Sequence, residues 1–212
     1  MARDSSCKWH TEVVFTLTRP SAVAVDQQIA AAGRLPSASP RFLSLSSNLD
    51  PAKPLPFGFV HDFKRSVIGH GQAEFAAGKW AFQQWTMFDL GWARVVNSKS
   101  QIEPKQIVAV EVHSLGLWTV NLSQILEMVD SPTRFGFIYA TTKMHVEQGE
   151  ERFLLDFDPN TGDLHYELEA VSRPRNLFAW MGYPVTRAFQ HRFARDSHRR
   201  MRRDAPCNSP RF

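Results

Sequence analysis

Residues 151–171, ERFLLDFDPNTGDLHYELEAV, decide the fold. Glu151 to Phe157 and Asp163 to Val171 are strand-like runs, and Asp158-Pro159-Asn160-Thr161-Gly162 between them is a turn signal. Proline presets the backbone of a turn, and Asn and Gly tolerate the positive φ that a tight hairpin demands. An antiparallel pair is expected here.

Working outward, Arg134 to Thr142, Gln124 to Val129, Ile107 to His113 and Trp92 to Val96 read as further strands, with Asp130-Ser131-Pro132-Thr133 as one of their turns. In Ile107–His113, Val108, Val110 and Val112 share one face while Ala109, Glu111 and His113 share the other. His145 to Glu150 reads as a polar loop. Earlier, Phe57 to Val67 alternates as a half-buried strand and Gly69-His70-Gly71 breaks it. A helix then starts near Gln72, with Phe75, Gly78, Phe82 and Trp85 along one face. A glycine in that stripe predicts close approach of a neighbouring element.

Toward the N-terminus, Val13 to Leu17 reads as a short strand. Ser21 caps a helix with Val23, Val25 and Ile29 as its apolar positions and Gly33 at its end. Leu35 to Pro56 holds five prolines and predicts an extended loop lying over the domain. At the other end, Pro174 and Pro184 bracket a helical turn, and Pro184 opens a long helix. Val185, Ala188, Phe189 and Phe193 form its apolar stripe.

Strand, helix, a run of antiparallel strands and a closing helix make an α+β layout in which a curved sheet wraps a helix. One domain is expected over residues 13–203, with an N-terminal strand–helix and Pro-rich loop at 13–56 and the core at 57–203. Residues 1–12 and 204–212 read as loose ends.

A chain of 212 residues needs neither disulfides nor metal to fold. The two cysteines, Cys7 and Cys207, lie near the ends and make no disulfide framework. The N-terminus lacks the apolar stretch of a signal peptide, and no apolar run approaches the ~20 residues that span a bilayer. A cytoplasmic location is expected. The net charge of +4 hides an asymmetry, because from Arg173 onward there are ten basic residues and two acids, Asp196 and Asp204. Sixteen Phe and six Trp against three Tyr imply either a thick core or a cavity lined with rings.

Six motifs occur in order: Trp85-Thr86-Met87-Phe88-Asp89-Leu90-Gly91-Trp92, Gly116-Leu117-Trp118, Arg134-Phe135-Gly136-Phe137, Gly149-Glu150-Glu151-Arg152-Phe153, Ser172-Arg173-Pro174 and Arg192-Phe193-Ala194-Arg195-Asp196-Ser197. Together they resemble an uncharacterised domain-of-unknown-function family of bacteria and plants, from about Val13 to Arg203. That family is remotely similar to the START-like helix-grip proteins, in which an antiparallel sheet closes around a long C-terminal helix. The resemblance implies a cavity between sheet and helix that holds a small apolar molecule.

Three functions follow as expectations. In the first, a lipid-like or aromatic ligand sits among Trp92, Trp118, Phe137, Tyr139, Tyr166 and Phe189, with tyrosine as polar handle. In the second, the same cavity is an active site with His145 and Glu150 as an acid–base pair, in a segment that also holds Glu147 and Glu151. The bland alternative there is a solvated turn in which Glu150 or Glu151 pairs with an arginine. In the third, the basic helix end from Arg195 to Arg203 meets an acidic partner. Nucleic acid is disfavoured, since no recognised binding motif is present. Eight histidines, at 10, 61, 70, 113, 145, 165, 191 and 198, show no paired spacing, so neither metal nor cofactor is expected. The sequence leaves the oligomeric state open.

Overall fold

Seven antiparallel strands pair edge to edge in the order β1-β7-β6-β5-β4-β3-β2. They are β1 (Val60–His70), β2 (Ala93–Val95), β3 (Ile107–Ser114), β4 (Leu117–Asp130), β5 (Arg134–Thr141), β6 (Glu147–Phe157) and β7 (Asp163–Pro174). The computed structural model describes residues 15–34, 41–145, 147–174 and 183–204, with the side chains of 183–186 and 204 excepted. The helical turn between Pro174 and Pro184, the side chain of Val185, residues 1–12 with Cys7 and 205–212 with Cys207 lie outside the described residues, as does the start of the expected strand at Val13, whose described part makes only an isolated bridge from Thr16 to Trp118.

The curved sheet carries α2 (Gln72–Gln83), a 3₁₀ turn (Thr86–Phe88) and the long C-terminal helix α3 (Tyr183–Asp204) on its concave face. This is a helix-grip arrangement. The hairpin at Asp158–Gly162 closes with Gly162 at φ 77 and a bond from Gly162 N–H to the Asp158 carbonyl. Helix α2 delivers Phe75, Gly78, Ala81 and Phe82 to the core, and Gly78 sits so near the sheet that a Cβ there would lie 3.1 Å from Leu155 Cδ1. Helix α3 presents Phe193, Ala194, Ser197, His198 and Met201 inward, a stripe with three- and four-residue spacing, whereas Ala188 of the expected stripe is exposed.

Both faces of the sheet are covered. On the concave side Phe82, Trp85, Phe88, Phe135, Phe137, Phe153 and Tyr166 form one core with Val108, Ile125, Leu155 and Met201. On the convex side α1 (Ala22–Ala32), capped by Ser21, packs on Ile107, Ala109, Val120 and Leu122. A strap of irregular chain, residues 41–59, covers the rest through Phe42, Leu43, Leu45, Leu49, Leu55 and Phe59 against Ile138 and Val171. The N-terminal segment is thus a second layer outside the sheet. Its described part lies on the side of the sheet away from α2 and α3.

Two strands begin earlier than the pattern suggests. β4 runs from Leu117, where Leu-Trp-Thr-Val-Asn-Leu-Ser mixes both faces, and an irregularity between Ile125 and Glu127 re-aims its side chains. β6 begins at Glu147, because it pairs with β7 from Glu147↔Pro174 onward. The expected polar loop therefore contains the start of a central strand.

Candidate functional site

The parity of β6 sorts its polar residues. Glu147, Gly149, Glu151 and Phe153 face the concave side, while Gln148, Glu150 and Arg152 face the strap. On the strap side Glu150 accepts from the Phe42 and Leu43 amides at 2.9 and 3.0 Å. Arg152 is fully buried; it donates to the Ser44 and Ser47 carbonyls and pairs with Glu167 and Glu169. Glu169 also takes the Leu49 amide and His61. These groups fasten the strap to the sheet.

The concave side holds a different set. Tyr139 Oη donates to Glu151 Oε2 at 2.7 Å. Gln190 of α3 donates to both oxygens of Glu147 and to Ser172 Oγ, while Arg187 grips Asp62 of β1. Burial pushes Glu147 up to about 7, against the lowering effect of Gln190. Burial likewise pushes Glu151 up to about 7, against the lowering effect of the Tyr139 hydrogen bond, and no cation among the described residues contributes. The Tyr139 hydroxyl is raised well above its usual value, first by burial and then by the neighbouring Glu151. A carboxyl that titrates near neutrality beside a phenol can hold or pass a proton, or take a donor group from a ligand.

The residues singled out from sequence scatter. Phe137, Tyr139 and Tyr166 lie in the concave core, where Tyr166 Oη bonds Ser197 Oγ at 2.8 Å. Trp92 and Phe189 pack on each other at the flank of α3, with Trp92 Nε1 donating to Asp196. Trp118 is on the convex side, stacked on His113 at 4.2 Å with Arg19 over its ring. Phe153, which lines the concave side beside the tyrosines, is missing from the sequence-based set. Between Phe88, Phe137, Phe153 and Phe193 the centroids lie 5.1–6.2 Å apart, which is a packed aromatic core. His145 lies in the turn before β6, where its Nδ1 accepts from the Glu147 amide. Glu150 faces the strap, and the acids on the concave side include Glu147, Glu151 and Asp62. Two clefts lie elsewhere. One of about 240 Å³ is bounded by Asp89, Asp196, Arg199, Arg200 and Arg203, and one of about 350 Å³ by Arg19, Val25, Ile29, Arg94 and Glu111. Among the described residues no three His, Cys, Asp or Glu side chains gather as metal ligands. None of the described helices is long and apolar enough to cross a membrane.

The profile of the domain of unknown function DUF1990 matches residues 45–200. The chain belongs to this family. Among relatives of the DUF1990 chain, the UPF0548 protein of Dictyostelium discoideum is 32% identical over 154 residues, covering 68% of this chain and 71% of that one. The UPF0548 protein of Arabidopsis thaliana is 30% identical over 146 residues, covering 66% and 70%. Among solved structures, a Thermus thermophilus protein, TTHA0849, is similar over 72% of this chain and 99% of that one, at 9% identity and a TM-score of 0.48. Two of the six motifs now have physical content. Gly149-Glu150-Glu151-Arg152-Phe153 supplies a close strand contact, two strap-binding groups, the Tyr139 partner and a core ring. Arg192–Ser197 supplies the Trp92 and Tyr166 partners.

Proposed function

We propose that the chain binds a small, mostly apolar molecule carrying one hydrogen-bonding or cationic group, at the end of the grip where β5, β6 and the first turns of α3 meet. Glu151 carries the reading. It is an enclosed acid with a phenol donor and no cationic partner among the described residues. A structural carboxylate in a buried place is ordinarily matched by a cation, as Glu169 is by Arg152.

The way α3 is held supports this location. Toward its C-terminal half α3 buries Phe193, Ala194 and Met201 beside the Ser197–Tyr166 and His198–Ser66 bonds. Toward its N-terminal half the contacts to the sheet include polar ones, Arg187 to Asp62 and Gln190 to Glu147. An end tied by polar contacts opens more readily than one tied by buried rings. Phe88, Phe153 and Phe193 then offer an apolar wall next to Tyr139 and Glu151.

Native mass spectrometry of protein purified from its source cells tests the reading. A bound small molecule is expected, retained in Arg34→Gln and lost in Glu151→Leu. Absence of any bound molecule, together with no saturable uptake of hydrophobic amines or alcohols from a panel, overturns it. A second reading, acid–base catalysis in the same place, rests on Glu151 titrating near neutrality. It predicts that Glu151→Gln abolishes turnover of the bound compound while retaining its binding.

A further inference from the structure

Not all of the positive charge of α3 is matched. Arg187 pairs with Asp62, Arg192 and Arg195 with Asp196, and Arg200 with Asp89. Arg199 and Arg202 form no ion pair among the described residues, and neither does Lys64 of β1.

The packing of α3 on β1 brings these groups together. Ser66 Oγ and His198 Nδ1 are 2.6 Å apart, which locks the two elements at that point. Lys64 lies two residues before Ser66 on the same face of β1, about 7 Å along the strand. Arg195, Arg199 and Arg202 lie three residues before, one after and four after His198 on α3. Arg202 is further drawn to the strand, its Nη2 donating to the Val67 carbonyl at 3.4 Å. The electrostatics agree with the geometry. Lys64 is lowered first by its burial and then by Arg195, Arg199 and Arg202, with Asp196 acting the other way. His198 is pushed down to about 4 by burial and then by Lys64 and Arg202, so it adds no charge at neutral pH.

The helix dipole does not account for the cluster. It favours cations within the last turn, where Arg202 and Arg203 sit. Lys64 is not on the helix, and Arg195 and Arg199 are more than a turn from its end. Asp89 and Asp196, the acids bordering Arg199, are already paired with Arg200 and with Arg192 and Arg195, so positive charge is left over on this flank and an anion would offset it. Their placement within two turns of α3 beside β1 fits a compact anion better than an extended polymer, whose contacts spread along a surface.

We propose that Lys64, Arg195, Arg199 and Arg202 form a binding site for a compact, multiply charged anion, a phosphate monoester or diphosphate group. The site is independent of the Tyr139–Glu151 pair.

Titration calorimetry of the full chain with inorganic pyrophosphate tests it, alongside Lys64→Gln, Arg199→Gln, and Lys99→Gln as a control. Saturable one-to-one binding is expected, weakened tenfold or more in the first two variants and unchanged in Lys99→Gln and in Glu151→Gln. Without pyrophosphate, Lys64→Gln and Arg199→Gln should melt no lower than the parent, since each relieves repulsion. Absence of saturable binding, or binding indifferent to both variants, overturns the proposal. So does binding confined to single-stranded oligonucleotide or to vesicles rich in phosphatidylserine.

Discussion

Glu150 and Glu151 are neighbours in the chain and serve opposite faces of one strand: Glu150 accepts from the Phe42 and Leu43 amides of the strap, and Glu151 accepts from Tyr139 inside the grip. The two substitutions should therefore behave differently. Glu150→Ala leaves two amides without their acceptor and is expected to cost about 1–3 kcal/mol in chemical denaturation. Glu151→Gln keeps an acceptor for Tyr139 and should hold the parent stability or exceed it at neutral pH.

Stability should depend on pH through two of the concave acids. Glu147 and Glu151 have an ordinary value of 4.5 and stand at about 7 in the folded protein. Between those values the folded state holds more protons than the unfolded chain. Their contribution is thus full below about 4.5 and is lost as pH rises through about 7. His198 works in the opposite sense, its contribution present above 6.5 and lost as pH falls through about 4. Denaturation midpoints of Glu151→Gln relative to the parent should rise from pH 4.5 to 7 and level off beyond. A flat difference across that window would contradict the assignment.

Removing the strap's anchor should release it. Arg152→Ala leaves Glu167 and Glu169 without the buried guanidinium that they share. Breaking a buried pair in this way typically costs about 3–5 kcal/mol. Limited proteolysis should then cut within residues 41–59 faster than in the parent.

Two glycines should respond in opposite ways to alanine. A Cβ at Gly149 would lie 2.3 Å from the Val171 carbonyl oxygen and 2.6 Å from Ser172 Cα, atoms of a paired strand that cannot swing aside. Gly149→Ala is expected to lose about 1–3 kcal/mol or more, as overpacking does. At Gly78 the nearest atom is a Leu155 methyl at 3.1 Å, at the end of a flexible side chain. There the helix-propensity gain of about 0.5–1 kcal/mol offsets the crowding, so thermal melting should shift little.

Much of this architecture is legible in residue order. Asp158–Gly162 announces its hairpin, and the Phe75, Gly78, Phe82 spacing announces α2 with its close contact to Leu155. The site is less legible. His145 to Glu150 reads as a polar loop because Glu, Gln and Gly have low strand preference. Only pairing with β7 makes it a strand from Glu147 onward. Once it is a strand, alternation hands Glu150 to the strap and Glu151 to the grip. Trp118 is misplaced for the same reason, since β4 is buried on both faces and its composition does not say which ring looks where.

The sequence by itself determined the order and kind of the main helices and strands and the excess of positive charge on the closing helix. Those follow from local periodicity and turn chemistry, which act within a few residues. Only the tertiary structure decided which side of the sheet each polar group serves, and which arginines find an acid. Those depend on strand register and on the docking of α3 against β1, where a shift of one residue would exchange every inward side chain for an outward one.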